Sequence, residues 1–311
     1  MHIPTIDLAS LTQPRSLERL NEACSEWGVF HLVGHGMPLE IREDLLEEMA
    51  RFFALPTATK TEIERTEANP WGFYNCELTK NVEDWKEIFD VGPEEGTRVP
   101  QWPAQQPSFL RAVQAFYDAS ERIAKDLVRG IVQSLDASPH ALDACFEDHT
   151  SYLRLNYYPL CKNPAAADAP TVPTHGRLGI SHHSDAGAVT VLLQDGVSGL
   201  QVQRTGKWHD IEAERGALII NIGDMVQVWS NDRYKAPLHR VLADEHKVRF
   251  SAPFFLNPSY ATHCAPLPSA CGDKAPAYRP IHWGTFRDAR AAGDYADVGE
   301  EVQIAHYRRR S

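Results

Sequence analysis

Apolar positions repeat differently in the two halves of this 311-residue chain. The first 150 residues carry mainly helical spacings, whereas from Ser151 onward short apolar runs are divided by Gly, Pro, Asn and Asp. A short strand is expected around Ile3–Ile6, then a helix over 16–26 with Ser16 as N-cap and Glu18 in the first turn. Trp27 to Val33 reads as a strand that ends at Gly34-His35-Gly36. A helix follows from Pro38, with Leu45, Met49 and Phe52 at i, i+4 and i+7. The longest helix starts near Pro107, buries Phe109, Val113, Phe116, Ile123, Leu127 and Ile131, and fades near Asp136. Ser138-Pro139 predicts one more short helix, with cap and proline in order.

The second half reads as strands: Tyr152–Tyr158, Ala188–Leu193, Gly199–Gln203, Ala217–Ile222, Asp224–Trp229 and Arg249–Leu256. No helical patterns intervene, so a sandwich or barrel is expected rather than a parallel sheet. Residues 283–293 return to a helical pattern. The predicted class is α+β: a mainly helical region, residues 1–150, packed on a jelly-roll core, residues 151–311, with no long linker.

Composition narrows the partners. The apolar content is 43 %, enough for a sizeable core, and the net charge of −11 argues against nucleic acid. The one basic cluster is Arg308-Arg309-Arg310 at the C-terminus, read as a solvated tail. Six scattered cysteines without a C-x-x-C pair read as reduced thiols of a cytoplasmic protein. There is no signal-peptide pattern at the N-terminus and no run of 18 apolar residues, so no membrane partner is expected. Oligomeric state is not encoded in any visible pattern; a monomer is the default.

The chemistry concentrates in three places. His183-Ser184-Asp185 puts an imidazole and a carboxylate at i and i+2, on one side of an extended chain. His239 follows 54 residues after Asp185, ahead of a β segment. Two imidazoles and a carboxylate leave adjacent coordination positions open, the set associated with non-haem Fe(II) oxygenases. His182 is adjacent but lacks the i, i+2 relation to Asp185 and is expected on the other face. Arg249-Phe250-Ser251 then offers a fork and a hydroxyl from one strand face, suited to the carboxylate of a 2-oxoacid. A nearby acid, Asp244 or Glu245, is the competing partner for Arg249.

These segments resemble the isopenicillin N synthase-type family of Fe(II)- and 2-oxoglutarate-dependent oxygenases. The resemblance runs through Arg154-Leu155-Asn156-Tyr157-Tyr158-Pro159, His183 to Gly187, Gly223 to Asn231, His239-Arg240-Val241 and Arg249 to Phe255. Trp27-Gly28-Val29-Phe30, Gly34-His35-Gly36 and Asn81 to Glu87 extend it over nearly the whole chain. The closest similarity is to the plant branch of 2-oxoglutarate-dependent dioxygenases. The resemblance implies Fe(II) on His183, Asp185 and His239 as the catalytic centre. It also implies 2-oxoglutarate on Arg249 and Ser251, with the Tyr158 hydroxyl assisting and Asn156 near the metal-proximal carboxylate. Residues for the main substrate, a small organic molecule, vary within such families; Phe255, Phe73 and parts of the C-terminal segment are the candidates here.

The implied activity is oxidation by O2, most simply hydroxylation, with release of succinate and CO2. A non-haem iron oxidase of the same fold that needs no 2-oxoglutarate is one alternative, and a non-catalytic metal- or ligand-binding sensor is another. A requirement for 2-oxoglutarate with succinate formation separates the first reading from both.

Overall fold

The structure is a computed structural model and describes residues 2–297 and 299–309; Arg310 of the basic tail lies outside them. The N-terminal half contains β1 (Thr5–Asp7), α1 (Pro14–Glu26), β2 (Val29–Val33), α2 (Leu39–Phe53) and the short α3 (Thr57–Lys60). Then come β3 (Gly72–Tyr74), the hairpin β4 (Leu78–Thr79) and β5 (Val82–Glu83), β6 (Glu87–Val91) and the long α4 (Pro107–Gln133). The C-terminal half runs through β7 (Tyr152–Tyr158), β8 (Leu178–His183), β9 (Val189–Gln194), β10 (Leu200–Arg204), β11 (Lys207–Asp210) and β12 (Leu218–Ile222). It continues with α5 (Asp224–Trp229), β13 (His239–Leu242), β14 (Arg249–Leu256), β15 (His263–Cys264), α6 (Pro268–Cys271), β16 (Ile281–His282) and α7 (Trp283–Ala291).

Two sheets form a distorted jelly roll. The large one has the order β1-β2-β12-β9-β14-β7-β6-β3, and the small one β11-β10-β13-β8. Pairing is antiparallel except between β1 and β2. The 1–150 segment is thus more than a helical layer, since β1, β2, β6 and β3 hydrogen-bond into the large sheet. These strands are short and half of them lie at sheet edges, so their apolar runs are weak in the sequence. α1, α2 and α4 pack together, and α2 and α4 cover the large sheet at β14.

The alternation of the central strands decides what that layer covers. Leu153 and Leu155 of β7, Val191 and Leu193 of β9, and Ala252, Phe254 and Leu256 of β14 join the core beneath the helices. Their neighbours Arg154, Asn156, Thr190, Leu192, Ser251 and Phe255 face a cavity between the sheets.

Four expectations are corrected here. α1 starts at Pro14, not 16: proline at the first position sets φ for a helix, and Ser16 instead shares a 2.9 Å hydrogen bond with Ser10. Ser138-Pro139 opens only a turn, Ala141 N–H to Ser138 O at 2.9 Å, before a 3-10 turn at Asp143–Phe146. Asp224–Trp229 is a helix rather than a strand. Its first amide groups are taken by the chain around Asp185: Asp224 N–H donates to Asp185 O (2.8 Å) and Met225 N–H to Gly187 O (3.0 Å). Finally, Asp185 lies just past the end of β8, in the passage to β9, so it shares no strand with His183.

Arg240, next to His239, is fully buried. Its guanidinium lies 4.2 Å over Trp208 and donates to Gln201 Oε1 (2.9 Å), Pro170 O (2.9 Å) and Ala167 O (3.1 Å). It thereby holds the irregular 163–177 segment against the small sheet.

Close packing at Gly223 fixes the passage through Asp185. A Cβ there would stand 2.2 Å from Gly187 O and 3.1 Å from Asp185 O. Gly223→Ala is expected to cost about 1–3 kcal/mol of stability, read by chemical denaturation; an unchanged midpoint would mean the passage has slack.

Candidate active site

β8 and β13 are antiparallel neighbours, and their register sets His183 directly opposite His239. The ring centroids are 4.2 Å apart. Each Nδ1 faces a backbone carbonyl, Ser181 O at 2.9 Å and Pro237 O at 3.1 Å. A ring that donates from Nδ1 keeps the Nε2 lone pair free, and both Nε2 atoms approach Asp185 Oδ1, at 3.8 and 3.4 Å. The other oxygen of Asp185 is occupied: Thr190 Oγ1 donates to Oδ2 at 2.6 Å and Asn221 Nδ2 at 3.4 Å. One oxygen and two nitrogens are thus directed at a common point, with ligand atoms within 4.8 Å of one another. This donor set fits a divalent transition metal with positions left open. His182 is not part of the group.

Electrostatics agree with that fit. Burial opposes the charge on His183, and with His239 beside it the imidazole is pushed down to about 3. Burial also works against the Asp185 carboxylate, but the two histidines outweigh it and hold the group below the usual carboxylate range. His239 is drawn the other way: burial lowers it, yet Asp185 outweighs burial and raises it. The cavity edge therefore offers an ionised carboxylate and a neutral His183, and a metal cation bound there would replace the proton that Asp185 favours on His239.

Arg249 and Ser251 share the cavity face of β14, and the β14–β7 register sets them opposite Tyr158 and Asn156. All four are buried. The Arg249 guanidinium lies 5.0 Å over the Tyr158 ring and donates to Gln194 Oε1 (2.6 Å) and Val197 O (3.2 Å). Neither Asp244 nor Glu245 pairs with it among the described residues; Asp244 instead accepts from the His246 and Lys247 amides. Arg249 Nη1 is left buried without a partner. A buried guanidinium nitrogen without an acceptor is costly, and a ligand carboxylate would supply one. Asn156 Nδ2 donates to Ser251 Oγ at 3.3 Å, while its Oδ1 is also unpartnered.

The cavity that joins these groups measures about 240 Å³, at the small end for ligand pockets. Phe255 lines it and stacks on Tyr152, with centroids 4.7 Å apart. Phe73 does not: it is fully buried under the helical layer beside Phe52, because the pleat of β3 turns it away from the cavity.

Sequence reasoning also missed a charged cluster on the cavity wall. Arg65, Lys86 and Arg154 pair with Glu77, Asp84 and Asp90 at 2.5–2.9 Å. Burial disfavours the Glu77 carboxylate, but Arg154, Lys86 and Arg65 hold it well below the usual range. Asp90 between the buried Phe89 and Val91, and Arg154 between Leu153 and Leu155, were the available signals.

Residues 149–258 match the 2OG-Fe(II) oxygenase superfamily, and residues 3–110 match the N-terminal region described as non-haem dioxygenase in morphine synthesis. The chain is 34% identical over 295 residues to 2-oxoglutarate-dependent dioxygenase 11 of Oryza sativa subsp. japonica, covering 92% of this chain and 80% of that relative. The chain belongs to the 2OG-Fe(II) oxygenase superfamily. Gibberellin 2-beta-dioxygenase 6 of the same plant is 32% identical over 321 residues, with 98% and 84% covered. The crystal structure of JOX2 in complex with 2OG, Fe and JA superposes with a TM-score of 0.80 at 29% identity, over 92% of this chain and 84% of that one. This 2OG-Fe(II) oxygenase is accordingly a 2-oxoglutarate-dependent dioxygenase of the plant-type branch, and its cofactor set is Fe(II), 2-oxoglutarate and O2.

The buried cluster gives a stability test. Glu77→Gln removes the carboxylate shared by three cations and is expected to cost about 3–5 kcal/mol. Denaturation that leaves the variant within about 0.5 kcal/mol of the parent would show that the cluster reorganises freely.

Proposed function

We propose that His183, Asp185 and His239 hold Fe(II), and that Arg249, Ser251, Tyr158 and Asn156 receive 2-oxoglutarate. The observation that carries this reading is the unpartnered, buried Arg249 Nη1 on the same cavity wall as the triad. Iron and 2-oxoglutarate, once bound, supply the oxidising power with which O2 hydroxylates a C–H bond, releasing succinate and CO2.

The remaining work belongs to the protein. Ser181 O and Pro237 O orient the imidazoles, and Thr190 and Asn221 hold Asp185 with one oxygen free. Gln194 and Val197 O fix the guanidinium so that its last edge meets a carboxylate without searching rotamers. The position of the cavity between the two sheets limits water around the reacting groups. The substrate is a small organic molecule seated against Phe255, and residues 1–150 serve as the support of the 151–311 catalytic core. We place the enzyme in the cytoplasm because its six cysteines are free thiols, and we take a monomer as its default state; no described helix is long and apolar enough to cross a membrane.

Anaerobic addition of Fe(II) and then 2-oxoglutarate is expected to produce a weak visible charge-transfer band, which Asp185→Ala abolishes together with tight iron binding. Iron binding retained at full strength in Asp185→Ala would remove that residue from the ligand set. Arg249→Lys keeps the charge but loses the fork, and the apparent Kd for 2-oxoglutarate should rise about ten- to a hundredfold. An unchanged Kd would move the carboxylate elsewhere.

A further inference from the structure

The charges around the cavity can be paired off almost completely. Arg65, Lys86 and Arg154 are matched by Glu77, Asp84 and Asp90, three cations with three carboxylates. On the same lining, Lys80 and Arg290 both contact Glu301, and Arg290 also donates to Ser184 O at 3.0 Å. Arg249 and Asp185 belong to the cosubstrate and metal positions proposed above. Two cavity-lining charges are left without a hydrogen bond or ion pair among the described residues, Asp294 and Arg287.

Asp294 sits on the 3-10 turn Ala292–Asp294 that follows α7, and it faces Glu77, Arg154, Arg65 and Lys86. It is the fourth carboxylate beside three cations that are already committed. Burial and the nearby Glu77 push its carboxyl up to about 7. Arg287 lies on α7, with the Tyr260 ring 5.7 Å away as its recorded cation–π contact. The two positions are seven residues apart, four α-helical steps and three 3-10 steps, which separates their backbones by about 12 Å. The same cavity is lined by the stacked pair Tyr152 and Phe255, and the Trp71 ring lies 6.1 Å from Tyr152.

Resting on the oxygenase reading, we propose that the substrate is a small amphoteric molecule with a flat aromatic body, whose cationic nitrogen meets Asp294 and whose acidic group meets Arg287. A protonated amine gives Asp294 the partner that the wall withholds, and a carboxylate does the same for the Arg287 fork. The aromatic body covers the Tyr152–Phe255 stack. Both side chains are half-buried, so a molecule with one charge shields the other pole from water without pairing it, and a neutral one does so to both. Asp294 and Arg287 are then specificity-determining residues with no part in the oxidation itself.

Calorimetry on the anaerobic enzyme with Fe(II) and 2-oxoglutarate tests this with four probes: 4-(2-aminoethyl)benzoate, phenethylamine, 3-phenylpropionate and 3-phenylpropan-1-ol. The first should bind about tenfold or more tighter than either singly charged probe, and the alcohol weakest. Asp294→Asn should weaken the two amines and leave 3-phenylpropionate unchanged, Arg287→Gln should do the reverse, and Asp294→Glu should retain the amine preference. Equal binding of all four probes, or variants that weaken all four alike, would overturn the proposal. The ranking is read without turnover, so it fails separately from the metal assignment. A missing charge-transfer band with the ranking intact would strike the iron ligands alone, and a band with no ranking would strike the amphoteric substrate alone.

Discussion

The pleat of β7, β9 and β14 is the constraint on which everything else rests. Each strand presents apolar side chains to the helical layer and turns the alternate ones, most of them polar, to the cavity, and the period is two over the central residues. Backbone pairing fixes Ser251 against Asn156 and Gln194, and Arg249 against Tyr158. A slip of one residue in β14 would bury Arg249 and Ser251 under α4 and turn Phe254 into the cavity. Hydrophobic burial on one face therefore positions chemistry on the other. The cost of misplacing Phe254 and Leu256 keeps the guanidinium in place.

A second constraint is carried by backbone groups rather than side chains. α5 spends its first amides on the carbonyls of Asp185 and Gly187, so that a helix start and the passage through Asp185 cap one another. The packing of Gly187 against Asn257, and of Gly223 against Gly187, leaves that passage a single path. Asp185 does not need a strand to hold it. It is fixed by what its own backbone accepts and by Thr190 and Asn221 on its carboxylate.

Much of this was legible in the sequence, and the reason differs by element. β7 and β14 were readable to the residue because each is a short run rich in aromatic and aliphatic residues, with Arg154 and Asn156, or Arg249 and Ser251, two apart on one face. The triad was readable because His, Asp and His are rare enough in such company to stand out. α5 was misread because Met225, Val226, Val228 and Trp229 are all buried, and a short segment apolar on every side carries no period to distinguish helix from strand. Phe73 was misassigned because a three-residue strand shows its direction only once paired with β6. The Arg65–Glu77–Arg154 cluster joins residues up to 89 positions apart, and no local pattern announces such pairing.

Arg240 gives the enzyme a loop whose course depends little on most of its side chains. The 163–177 segment is held largely through carbonyls of Ala167 and Pro170, groups that every amino acid carries, by a guanidinium adjoining His239. Apart from Gly176, whose positive φ and close approach to Ala165 admit no side chain, and Thr171, which accepts from Gln203, its side chains can therefore change while its path stays the same. Such a loop is free to acquire new surface contacts, and the strand that bears the second imidazole stays anchored while it does so.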